Sequence, residues 1–170
     1  MRDIIVVIMQ KKNKIFFLNL FIIMIIFLID RISKTHVINL FENLNNQQIF
    51  LTSFLNIHLI WNEGIAFGLL SFDNKNIYNF ITLFIILINL VIIYISIKLN
   101  DVRKYFFLII LGGSLGNLYD RLIYNAVPDF IDLHIGDFHW FIFNSADIFI
   151  SIGIICLILD EFFFKTKHND

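Results

Sequence analysis

Asp147 stands in the run Phe143 to Phe164, which is apolar enough around it to cross a membrane. A carboxylate inside lipid costs roughly 2.5–3.5 kcal/mol on insertion scales, so such a group usually faces a partner or a polar cavity. Its nearest polar companion is Asn144, one helical turn away on the same face. A second acid, Asp129, lies upstream in Val127-Pro128-Asp129-Phe130-Ile131-Asp132. Two carboxylates meeting at one membrane surface cannot easily both ionise, so they share a proton and titrate as a unit. One can then take a proton from water while the other hydrogen-bonds a carbonyl. The chemistry suggested is hydrolysis by an acid pair.

The remainder of the chain must place those acids. Its 170 residues allow one domain, 58% of them are hydrophobic with 21 Phe, and the charged fraction is only 16%. The usual charged fraction is about a quarter, so a membrane class is expected. A net charge of −1 gives no basic stripe, and no nucleic-acid partner is expected. The single Cys156 lies in the last apolar run, cannot form an internal disulfide and reads as a packed small hydrophobe.

Four transmembrane helices are predicted, over approximately 15–34, 77–97, 104–120 and 143–164. About 20 apolar residues cross the hydrocarbon core. The second run is clearest, with Asn79, Thr82, Asn89 and Ser96 as mild interruptions, and the fourth carries Asp160 and Glu161 near its far end. The first spans if Arg31 and Lys34 snorkel outward. A cleaved signal peptide is the alternative there, but no small-x-small site follows Asp30-Arg31-Ile32-Ser33-Lys34, so a retained helix is preferred.

With the N-terminus inside, nine cations (Arg2, Lys11, Lys12, Lys14, Lys98, Arg103, Lys104, Lys165, Lys167) are cytoplasmic, and four (Arg31, Lys34, Lys75, Arg121) are outside. That bias predicts cytoplasmic termini. The acids lean outward, so the chemistry faces away from the cytoplasm. The extracytoplasmic segments, approximately 35–76 and 121–142, look partly extended. Leu55 to Asn62 comes close to the period-two alternation of a half-buried strand, and Val127 to Ile135 does so before a Gly136-Asp137 turn, with Phe138 to Phe143 able to run back. A small β-sheet on the outer membrane surface is expected, with Glu42 to Gln48 as a loop. Trp61, Trp140 and Tyr119 are expected as interfacial anchors.

Polar residues gather in five clusters, each at the outer end of a helix or in an outer segment: Asp30 to Lys34, Asn62 to Gly68, Gly112 to Arg121, Val127 to Asp132 and Phe143 to Asp147. Written as D-x-x-S-K, N-x-G-x-A-F, G-G-x-x-G-N-x-x-D-R, V-x-D-F-x-D and F-N-x-A-D, they resemble, in order and spacing, the sequence boxes of the lipoprotein signal peptidases (signal peptidase II). The resemblance extends from about Phe16 to Leu159. It implies an aspartic endopeptidase of the bacterial inner membrane that cuts diacylglyceryl-modified prolipoproteins before the lipidated cysteine. It also implies Asp129 and Asp147 as the catalytic pair, with no metal and no organic cofactor required. The expected partners are prolipoprotein substrates and membrane lipid, and the chain is expected to act as a monomer.

By the same resemblance Asn62 and Arg121 bind the substrate backbone; an ion pair of Arg121 with Asp120 or another outer acid is the alternative. Asn117 and Asn144 either orient the two acids or act as ordinary interhelical contacts. Asp30 and Lys34 are spaced i,i+4 and are expected to pair and anchor the first helix. Gly112 and Gly116 form a small-xxx-small face for close helix approach. Relatives carry Gly shortly before V-x-D-F where this chain has Asn125-Ala126, and Asn tolerates the left-handed geometry a turn there needs. Met1 to about Gln10 reads either as an alternative start site or as an extension. Two other classes stay open. A metal-dependent hydrolase would use Asp129, Asp132, His134, Asp137 and His139, although no strong metal-binding spacing is present. A proton-coupled carrier would relay protons through Asp147, but it predicts acids distributed through the membrane depth.

Overall fold

A computed structural model describes residues 2–44, 47–64, 75–136 and 138–164, with side chains from residue 13 onward except those of Lys75 and Phe164. The order is α1 (Arg2–Asn43), β1 (Ile49–Phe50), β2 (Leu55–Asn62), α2 (Lys75–Lys98), α3 (Arg103–Tyr124), β3 (Val127–Ile135), β4 (Phe138–Phe143) and α4 (Ser145–Phe164). Among the described residues three helical stretches, Asn13–Asn43, Asn76–Lys98 and Arg103–Tyr124, are long and apolar enough to cross a membrane.

The helices are inverted relative to those of a water-soluble bundle. On α2, Phe80, Leu83, Phe84, Leu87, Val91 and Tyr94 face outward, while Tyr78, Thr82, Asn89 and Ser96 are buried. Thr82, Asn89 and Ser96 recur every seven residues, so they form one stripe along the helix. Each bonds back to its own helix: Thr82 to the Tyr78 carbonyl, Asn89 to that of Ile85 and Ser96 to that of Ile93. Each side chain thus donates into its own helix and the outer face is left to lipid, while Asn89 Oδ1 stays buried without a partner among the described residues.

Central to the bundle is α3, which touches all three other helices. Its glycines set the spacing. A Cβ on Gly112 would lie 2.8 Å from Ile26 Cβ of α1, one on Gly116 would strike the Asp30 carboxylate, and one on Gly113 would lie 2.6 Å from the Ala146 carbonyl oxygen of α4. The expected Gly112/Gly116 face therefore receives α1, while Gly113 receives α4. Asn125 ends α3 at φ 56°, the left-handed cap that its short polar side chain tolerates.

The four strands form one antiparallel sheet in the order β1-β2-β3-β4. Gly136, at φ 59°, opens the turn from β3 to β4; Asp137 lies outside the described residues, as do Ile65 to Asn74. Three expectations are corrected. The first helix does not stop at Lys34 but runs to Asn43, because Val37 and Phe41, one turn apart, bury against Phe130 of β3. The third helix passes Asp120 and ends at Tyr124. Within Glu42 to Gln48, Glu42 and Asn43 are helical, and the two-residue strand β1 that follows was not anticipated.

Candidate active site

A single asparagine joins the two acids. Asn144 precedes the first turn of α4, and its Oδ1 accepts from the Asp147 backbone N–H at 3.2 Å. The Asp147 carboxylate returns the bond through Oδ2, accepting from the Asn144 backbone N–H at 3.1 Å. This reciprocal pair is a capping box, which satisfies two orphan donors at a helix start. The Asn144 amide is still free to donate, and its Nδ2 reaches Asp129 Oδ1 at 2.6 Å. The residues that start α4 therefore also fix both carboxylates, one on the helix and one on β3.

Each acid has a second anchor. Asn62, at the end of β2, donates from Nδ2 to Asp129 Oδ2 at 2.9 Å, while its Oδ1 accepts from the Gly64 N–H at 2.9 Å. Asn117 of α3 donates from Nδ2 to Asp147 Oδ1 at 2.8 Å. Asp129 is only 5% exposed. Burial pushes its carboxyl up to about 6; the Asn62 and Asn144 amides pull it down, and the neighbouring Asp147 carboxylate raises it further.

Beneath this pair lies a second polar cluster between α1 and α3. Lys34 Nζ donates to Asn117 Oδ1 and Asp120 Oδ2, both at 2.7 Å, and pairs with Asp30 Oδ1 at 3.1 Å. Arg31 clamps Asp120 with both terminal nitrogens and meets Asp30 Oδ2 at 2.6 Å. Lys34 is therefore fully buried and does not snorkel outward as the sequence suggested, because Asp30 and Asp120 draw its charge into the bundle. Asn117 links the two clusters, accepting from Lys34 and donating to Asp147.

Among the described residues Arg121 does not pair with Asp120, whose side-chain partners there are Arg31 and Lys34. It donates from Nη2 to the Gly64 carbonyl at 2.6 Å and lies 5.7 Å from the Tyr78 ring centre. Its Nε and Nη1 are buried with no partner among the described residues. Sequence reasoning missed Ser145, whose hydroxyl donates to Asp30 Oδ1 at 2.8 Å and lies 2.6 Å from that of Ser33. Its position between the cap and Ala146 was the available signal. Ile65 to Gly68, the rest of the second box, fall outside the described residues.

The profile of the signal peptidase (SPase) II family matches residues 22–163. The chain belongs to the signal peptidase II family. It is 54% identical to a lipoprotein signal peptidase of Pelagibacter ubique, over 95% of this chain and 98% of that one. It is 35% identical to a lipoprotein signal peptidase of Anaplasma marginale, over 85% and 84%. A solved structure described as a bacterial membrane enzyme superposes with a TM-score of 0.65 at 26% identity, covering 89% of this chain and 91% of its own. Signal peptidase II membership, together with the apolar helices, makes this chain an aspartic protease of the bacterial inner membrane.

Proposed function

We propose that the chain removes signal peptides from diacylglyceryl-modified prolipoproteins, cutting before the lipidated cysteine, with Asp129 and Asp147 as the catalytic pair. The observation that carries this reading is the Asn144 bridge, which ties both carboxylates to one residue. Asp147, held by the Asn144 backbone N–H and the Asn117 amide, is assigned the role of base. Asp129, buried and pushed up to about 6, holds the shared proton. Asp147 takes a proton from water, whose oxygen attacks the scissile carbonyl carbon, while Asp129 hydrogen-bonds the carbonyl oxygen. The tetrahedral diol collapses when the amide nitrogen is protonated. The C–N bond then breaks and the cysteine amine leaves. Metal and organic cofactors have no part in these steps.

In this reading Asn62, Asn117 and Asn144 hold the acids, and Arg121, with its two unpaired buried donors, binds the substrate backbone. All four helices span the membrane within one domain; α4, at 20 residues, reaches about 30 Å. Both termini are cytoplasmic, and the sheet rests on the outer surface with Trp61, Trp140 and Tyr119 as anchors. A monomer suffices, lipid surrounds it, nucleic acid has no place, and the substrate enters sideways with its acyl chains in the outer leaflet.

The test is cleavage of a diacylglyceryl-modified prolipoprotein by the intact chain in detergent, with and without EDTA. Asp129→Asn and Asp147→Asn should each lower kcat/KM at least about 10²-fold. Cleavage should survive EDTA. Activity retained by folded Asp147→Asn would dismiss the pair. Because Asp129 must keep its proton, kcat/KM should fall as pH rises through about 6. A rate that instead rises across that range would make Asp129 the base.

A further inference from the structure

We propose that Asp132, His134 and His139, with Asn56 beside them, form a binding site for a divalent transition-metal ion of the Zn²⁺ type. This site tightens the sheet and takes no part in hydrolysis. Side chains alternate along a strand, so Asp132 and His134 leave β3 on the face opposite Asp129. His134 pairs with His139 across the β3–β4 ladder, and the register slips by one residue between the Leu133–Phe141 and His134–His139 pairs. That slip turns His139 towards Asp132. Its Nδ1 lies 2.9 Å from both Asp132 oxygens, and its ring stacks on that of His134 at 5.4 Å and 27°.

One ligand atom from each of the three residues falls within 4.8 Å of the others. A tetrahedral shell with bonds of 2.0–2.1 Å places ligand atoms about 3.4 Å apart. His139, whose side chain is half exposed, is the ligand freest to adjust towards that spacing.

An ion pair between His139 and Asp132 would account for that contact alone, but it leaves two other groups unexplained. The His134 Nδ1 is buried without a partner among the described residues, and so is the Asn56 Oδ1. Asn56, 2% exposed, is the cross-strand partner of Asp132, so the two side chains leave the sheet on the same face. Two unsatisfied lone pairs beside a buried carboxylate and a second imidazole make a cation cradle. Two imidazoles and one carboxylate suit Zn²⁺ or its neighbours; Mg²⁺ and Ca²⁺ prefer all-oxygen sites. A bound ion would join β2, β3 and β4 at the strand that carries Asp129, three residues away.

The experiment is calorimetric titration of Zn²⁺ into the tag-free full chain, stripped with EDTA in detergent, alongside the cleavage assay. One ion should bind per chain. His134→Gln/His139→Gln should weaken it at least about tenfold, the upper effect of losing a supporting group being 100-fold. Cleavage by that variant should stay within about twofold of the parent, which also shows that it folds. Asp129→Asn/Asp147→Asn should bind Zn²⁺ unchanged, separating this site from the acid pair. Absence of saturable binding to the parent, or binding undiminished in the double His variant, would overturn the proposal. Loss of cleavage on stripping, restored by Zn²⁺, would overturn the non-catalytic assignment.

Discussion

Lys34 and Arg121 are both buried cations at the polar end of the helices, 1% and 7% exposed, yet their surroundings differ in kind. Lys34 donates hydrogen bonds to Asn117 and Asp120 and pairs with Asp30. Its charge is fully partnered. Arg121 has five donors, and the carbonyl of Gly64 takes one of them, while Nε and Nη1 point at nothing among the described residues. A buried donor without an acceptor costs about 1–3 kcal/mol. Such a cost is recovered when a ligand supplies the missing oxygen. In the function proposed above, the closed cluster serves as scaffold and the open one is where a peptide backbone would fit.

The largest expected effect falls on the closed side. Lys34→Met leaves Asp30 and Asp120 with Arg31 as their remaining cation and removes the donor to Asn117. Breaking a buried pair by deleting one partner costs about 3–5 kcal/mol. Thermal unfolding in detergent should therefore show a large drop in Tm, with kcat falling in the folded remainder as Asn117 loses its orientation. An unchanged Tm would mean that the cluster is held by lipid or by Arg31 alone, and the contrast with Arg121 would collapse.

A middle-sized effect belongs to the open side. Arg121→Gln should lower kcat/KM about 10–100-fold, the equivalent of a charged hydrogen bond of about 1.5–3 kcal/mol, and mostly through KM. Its Tm should fall less than that of Lys34→Met. The opposite pattern, a collapsed Tm with normal cleavage by surviving protein, would make Arg121 a strut between Gly64 and Tyr78.

How much of this was legible in the sequence follows the same division. The acids and their asparagines stood out because polar groups in apolar runs are costly, and β2 and β3 because period-two alternation is local. What the sequence did not reveal depends on partners distant in the chain. Asp120 adjoins Arg121, and only the packing of α1 on α3 shows that Arg31 and Lys34 hold it. Gly112 and Gly116 read as one small-residue face, but that α1 fills it while Gly113 receives α4 depends on where those helices sit. The run of α1 beyond Lys34 is likewise decided by Val37 and Phe41 meeting Phe130, contacts that no local periodicity encodes.

The smallest effect is the sharpest test of the closed cluster. Ser145 opens α4 beside the cap, yet its hydroxyl turns away from the acids towards Asp30 and Ser33. Ser145→Ala removes one donor from Asp30, which keeps Lys34 and Arg31, so no charge is left bare. The loss should be that of one ordinary hydrogen bond, about 1 kcal/mol, visible as a small fall in Tm. Cleavage should not change, because the Asn144 backbone and amide bonds to the acids do not pass through that hydroxyl. If cleavage fell while Tm held, Asp30 would have to act on the acid pair through α4. The cluster would then belong to the reaction as much as to the scaffold.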